Sequence, residues 1–180
     1  MGCDIHVKSF VYSNVEKKMV PLNGAFPDSD YFPVILGSRD YDLFGLFGNS
    51  FRSHYPELEC LHDGYPKFME EMTVYKMADC VDYHTRRWCN ADELKNELLE
   101  YKDRLLDPKK WNDHYKDDSD FVLDAIEGKI SLETYQKSHE YLIASIDTLV
   151  TEIDRVKSWV DDYSNLLDES KIVFVTWMDN

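Results

Sequence analysis

The residues best suited to chemistry in this chain fall into two short Asp-x-His pairs, Asp4 with His6 and Asp82 with His84. Residues two apart on a strand project from the same face. A carboxylate and an imidazole so placed can ligate a metal ion, share a proton or hold a ligand. The plain alternative for Asp4 and His6 is a strand end where both side chains meet water. Asp82-Tyr83-His84-Thr85 reads as a loop ahead of a helix that begins at Asn90. There His84 is a candidate metal ligand, general base or donor to phosphate, against the plain alternative of a loop histidine capping backbone groups. Asp179 closes the last apolar segment, and it approaches Asp4 and His6 if the last strand lies beside the first.

The third element is positive. Arg39, Arg52, Arg86 and Arg87 lie in or beside these motifs, in a chain of formal net charge -15. Local arginines in so acidic a protein suit an anion held by forked hydrogen bonds, although pairing with the excess carboxylates explains any single one of them more simply. The overall charge repels nucleic-acid phosphates and anionic lipid, which excludes general DNA, RNA or membrane-surface binding.

The four cysteines, Cys3, Cys60, Cys80 and Cys89, are expected as reduced thiols. Cys80, His84 and Cys89, with Cys60 and His62 upstream, match no standard zinc-finger or ribbon spacing. His62-Asp63 resembles the His-Asp pair of metal phosphohydrolases, but the partners such enzymes need are not assignable. Phosphate-binding glycine loops, a Gly-x-Ser-x-Gly elbow and a His-Glu-x-x-His helix are all missing. No run reaches the roughly 18–20 apolar residues of a membrane span. There is no secretory signal pattern, and His6 stands where myristoylation wants Ser or Thr. A cytoplasmic protein is expected, with no cofactor unless a divalent metal is used.

The elements that must position these groups follow from periodicity. With 180 residues, 43% of them hydrophobic, one domain over 1–180 and one core are expected. Residues 3–12 read as a strand and 19–22 as a short return strand, put on an edge by Pro21. Residues 41–47 read as a short buried helix stopped at Gly48-Asn49, residues 49–66 as irregular, and 67–79 as a helix with Phe68, Met72 and Tyr75 on one face. Asn90 with Glu93 resembles a capping box, and Leu94, Leu98, Tyr101 and Leu105 form a stripe behind it. Residues 106–118 read as irregular around Pro108. A second helix from Ser131 carries Leu142, Ile146, Leu149, Ile153, Val156 and Val160 at the same step. The two stripes predict a helical hairpin over about 91–165, facing each other or serving as a homo-oligomer seam. Residues 171–180 read as a central strand beside the first. The fold class is α+β: a small sheet holding both terminal strands, with a long helical hairpin.

Several motifs together resemble a family of small, functionally uncharacterised proteins encoded by tailed bacteriophages. They are Gly2-Cys3-Asp4-Ile5-His6, Arg39-Asp40-Tyr41-Asp42-Leu43-Phe44 with Phe51-Arg52, Gly64-Tyr65-Pro66, Asp82-Tyr83-His84-Thr85 with Glu93-Leu94, and the closing strand Val173 to Asn180. The family carries Ser in place of Thr85, which keeps a hydroxyl. Its hairpin is shorter, so any role built on residues 100–165 belongs to this chain alone. The resemblance supplies no activity. It implies that Asp4, His6, Arg39, Asp42, His84 and Asp179 belong together, and that the protein works in the cytoplasm of an infected bacterium, where small phage proteins often act on host defences.

Three functional readings result. In the first, the chain is a phage accessory, counter-defence protein that binds a small anionic, nucleotide-like ligand through Asp4, His6, Arg39, Asp42, Arg52, His84, Arg86 and Asp179, with arginines on phosphate and tyrosines on the base. In the second it is a metal-dependent hydrolase of a nucleotide or phosphoester, with Asp4, His6, His84 and Asp179 holding a divalent ion that activates water. In the third it is an acidic decoy for a host nucleic-acid-binding protein. The histidines argue against the third, since charge mimicry needs none. Lack of any hydrolytic signature favours the first over the second.

Overall fold

The computed structural model describes residues 5–22, 41–48, 55–71, 83–112, 115 and 119–179. Its frame is a five-stranded antiparallel sheet in the order β2-β1-β5-β4-β3, formed by β1 (Ile5–Ser13), β2 (Lys18–Pro21), β3 (His62–Asp63), β4 (Tyr83–Asn90) and β5 (Leu167–Asp179). The fold is α+β, and the first and last strands are neighbours. Val7 faces Thr176 and Val11 faces Ile172 across the β1–β5 ladder. β5 is the middle strand, as its almost unbroken apolar run requires: Ile172, Phe174 and Val175 are buried. β1 turns back into β2 through residues 14–17, where Lys17 takes a φ of 56° and the Ser13 hydroxyl accepts from the Glu16 amide. Pro21 sits on the edge strand, where its missing N–H costs no ladder bond.

Among the described residues five α-helices join the sheet: α1 (Tyr41–Leu46), α2 (Ala91–Leu106), α3 (Asp120–Ile126), α4 (Leu132–Ser138) and α5 (Glu140–Asp161). The Asn90 side chain caps α2 by accepting from the Asp92 amide, and Ser131 caps α4 through the Thr134 amide. The stripes predicted on α2 and α5 are buried throughout. Lys95 pairs with Asp154 and Lys102 with Asp147, so the two helices run antiparallel. Their apolar faces belong to the same core as Val7, Val11, Ile172 and Phe174. The hairpin therefore lies on the sheet, and both stripes are buried within the chain. A smaller cluster of Phe10, Met69 and Val175, with Tyr65, Phe68 and Trp88 packed against it, covers the other face of the sheet. None of the helices among the described residues is long and apolar enough to cross a membrane.

Four local readings need correction. Residues 83–90, read in part as a loop, are strand β4; its register shifts between His84 and Arg87. Residues 49–66, read as irregular, include β3, which pairs His62 with Trp88. The helix expected over 67–79 is described only as a 3-10 turn, Lys67–Glu71; Met72 and Tyr75 lie outside the described residues. The helix from Ser131 breaks at His139, whose φ of -107° and ψ of 1° separate α4 from α5. Helix α3, capped by Ser119, was not anticipated.

Candidate functional site

A cavity of about 570 Å³ opens where α1, α3 and the α4–α5 junction meet. Asp42 enters from the first turn of α1, and Tyr55 from the segment that follows it in sequence. Tyr115, Ser119, Asp120 and Phe121 come from the start of α3 and the residues before it, and Ser138 and His139 from the junction.

The Tyr55 wall is held by bonds that reach three elements. The Tyr101 hydroxyl on α2 donates to the Pro56 carbonyl at 3.0 Å. The Leu58 amide donates to the Leu46 carbonyl at the end of α1, also at 3.0 Å. The Glu97 carboxylate accepts from the Glu59 and Cys60 amides. Glu57 pairs with Arg87 on β4. A carboxylate that gathers two backbone donors fixes a coil much as a helix cap fixes a terminus.

His139 is only 6% exposed and carries the most informative chemistry. Its Nδ1 lies 2.7 Å from the Tyr135 carbonyl, which can only accept, so Nδ1 carries the hydrogen. The Ser138 hydroxyl donates to the same carbonyl at 2.6 Å and sits 3.2 Å from Nδ1. In the neutral ring Nε2 is therefore the lone-pair nitrogen, and no hydrogen bond engages it among the described residues. Burial lowers the His139 pKa below its ordinary 6.5; the bond to Tyr135 and the charge of Asp42 oppose that shift. The rings of Tyr55, Phe121 and Tyr135 surround the imidazole at 5.8, 5.9 and 4.5 Å. Tyr135 is itself locked: it accepts from the Trp111 indole at 2.8 Å, donates to the Arg104 carbonyl at 3.1 Å, and has its pKa pushed up to about 12, mainly by burial. The site thus combines aromatic walls, two carboxylates and a neutral imidazole acceptor.

Of the residues singled out from sequence, Asp42 lies in this cavity. The backbones of His6, His84 and Asp179 converge at one end of three neighbouring strands, with His6 opposite Trp177, His84 opposite Met178 and Asp179 opposite Tyr83. Their side chains, and all of Asp4, Arg39 and Arg52, lie outside the described residues. Arg86 stands 5.3 Å over the Tyr65 ring, beside the smaller cluster, and is not brought to Asp42. Arg87 pairs with Glu57 and with Asp63, the ordinary role for an arginine in an acidic chain. Among the described residues no three of His, Cys, Asp or Glu gather as a metal site. Cys60 and Cys89 are free thiols that meet; Cys60 hydrogen-bonds Cys89 and Glu97, and these bonds with burial push its pKa up. Cys3 and Cys80 lie outside the described residues, and the His62 ring lies tilted against Trp88 with centroids 4.4 Å apart.

Sequence reasoning passed over His139, Tyr55, Tyr115 and Asp120. One signal for His139 was present: it continues the α5 stripe backwards, three residues before Leu142 and seven before Ile146, so it had to be buried. No family model, curated protein or solved structure matches the chain.

Proposed function

We propose that this chain is a binding protein for a small nucleotide-like ligand, whose base enters the cavity beside Asp42 and His139. The observation that carries this reading is the lining itself. Tyr55, Tyr115 and Phe121 offer flat apolar surface to a ring, and Asp42 and Asp120 offer acceptors to base or ribose hydrogens. A buried imidazole held neutral adds a directional acceptor. The anionic part of the ligand falls to arginines. Arg39 precedes α1, which carries Asp42, and Arg52 follows it in sequence. The phage resemblance supplies a setting: capture of a nucleotide signal in the cytoplasm of an infected bacterium, as a counter-defence.

A second reading, the metal-dependent hydrolase, has one observation in its favour. His6, His84 and Asp179 stand at the same end of adjacent strands. One experiment separates the two. The pure protein is incubated with a panel of nucleosides and nucleotides, with and without magnesium or manganese, and the ligand is then released and chromatographed. Intact ligand bound without metal, and lost in Asp42→Ala, is the expected result. Metal-dependent product, lost in His6→Ala and His84→Ala, establishes the hydrolase instead. No retention of any member overturns the binding reading.

A further inference from the structure

The cavity brings three acceptor-bearing side chains together. Asp42, Asp120 and His139 line it, and with Nδ1 of His139 held by the Tyr135 carbonyl the acceptor nitrogen of that ring is Nε2. Of the cavity's hydroxyl groups, Ser138 donates to the Tyr135 carbonyl, and Ser119 and Tyr115 hydrogen-bond each other. A carboxylate oxygen pair offers about four acceptor positions, so Asp42 and Asp120 keep capacity for a ligand even where they already bond protein groups. His139 differs from them in being nine-tenths buried and fixed in one tautomer by a carbonyl that cannot donate. Its acceptor nitrogen thus has a defined polarity at neutral pH. A ring nitrogen or carbonyl placed against these acceptors meets lone pairs with lone pairs, whereas an amino group meets them with hydrogens. A buried, fixed acceptor such as His139 rejects a ligand that lacks the matching donor more strongly than an apolar wall rejects a misfit of similar size.

We propose that the cavity selects bases that present an exocyclic amino group, with Nε2 of His139 as the specificity-determining acceptor. This rests on the reading that the cavity takes a base, and it goes beyond that reading by naming which bases. The test uses pairs of nucleosides that differ only in that group: adenosine and purine riboside, guanosine and inosine, cytidine and zebularine. Affinities are measured by calorimetry on the full chain. For at least one pair the amino member is expected to bind about 10-fold tighter or more. In His139→Phe, which keeps a ring and loses the acceptor, the preference is expected to fall below about threefold, and His139→Gln, which keeps an acceptor oxygen, is expected to restore part of it. The wild-type comparison stands even if a variant fails to fold. Equal binding within every pair overturns the proposal and leaves the base-binding reading intact. An amino preference that persists in folded His139→Phe overturns the role of His139. Tetramethylammonium, which carries charge and no N–H, is the control; tighter binding of this ion than of every amino nucleoside shows that the cavity reads charge, and overturns the proposal. If no member of any pair binds, the base-binding reading fails and this inference fails with it.

Discussion

At His139 the burial that lowers the imidazole's proton affinity also makes folding sensitive to acid. Above its ordinary pKa of 6.5 the residue is neutral in both folded and unfolded chains and contributes no pH dependence. As the pH falls below 6.5 the unfolded chain takes the proton first, so stability falls until the lowered folded-state pKa is reached and then levels off. The melting temperature of the parent should therefore drop more between pH 7 and pH 5 than that of His139→Gln; equal slopes would show that the imidazole is not held neutral. In the folded protein protonation turns Nε2 from acceptor to donor, so binding of an amino nucleoside should weaken only as the pH falls through the lowered folded-state pKa. Among the described residues, the charged or titratable groups around the ring are Asp42 from α1, Asp120 from α3, and Tyr55, Tyr115 and Tyr135. At this scale the sequence singled out Asp42 among the motif residues around α1, and it lines the cavity. His139 was legible only as a buried position, since a histidine on an apolar stripe does not reveal which nitrogen is spent. That depends on the Tyr135 carbonyl, which the helix break brings within reach.

Among the elements, α2 and α5 were the easiest to read and β4 the hardest. Stripes such as Leu94, Leu98, Tyr101 and Leu105 record burial directly, because a 3.6-residue period has no other use on a helix of that length. Tyr83-His-Thr-Arg-Arg-Trp-Cys-Asn90 has no such record. Its strand is imposed by pairing with β5, and the shift between His84 and Arg87 breaks the alternation that would have betrayed it. The same logic hid β3, whose two residues gain a strand only from Arg87 and Trp88. Burial of the α5 stripe gives a direct test. Ile146 is fully buried, so Ile146→Asp places an unpaired carboxylate in the core and should cost about 3–5 kcal/mol, read as a lower urea midpoint. An unchanged midpoint would mean that α5 does not pack against α2 in solution. The Asn90 side chain caps α2 as expected, through the Asp92 amide, because capping chemistry is local: it needs only its own side chain and an amide two residues ahead.

Across the whole molecule, the strand order places β5 between β1 and β4. Neither inner strand can complete its ladder until β5 arrives, and β5 pairs Val7 with Thr176 across most of the sequence. Contacts of such long range give the sheet a high contact order, whereas the α2–α5 pairing joins residues much closer in sequence. During synthesis this sets a schedule. The helical layer can assemble early, while β1 and β4 wait with unpaired backbone edges that invite pairing with another chain. A fragment ending at residue 166 should therefore keep helical circular dichroism yet associate, as seen by light scattering, while the full chain stays dispersed. A monodisperse fragment would mean that the waiting edges are covered in some other way. For this protein, then, the interval between emergence of β4 and emergence of β5 is the time of greatest exposure to aggregation, and the order in which the chain is made matters as much as the contacts it finally keeps.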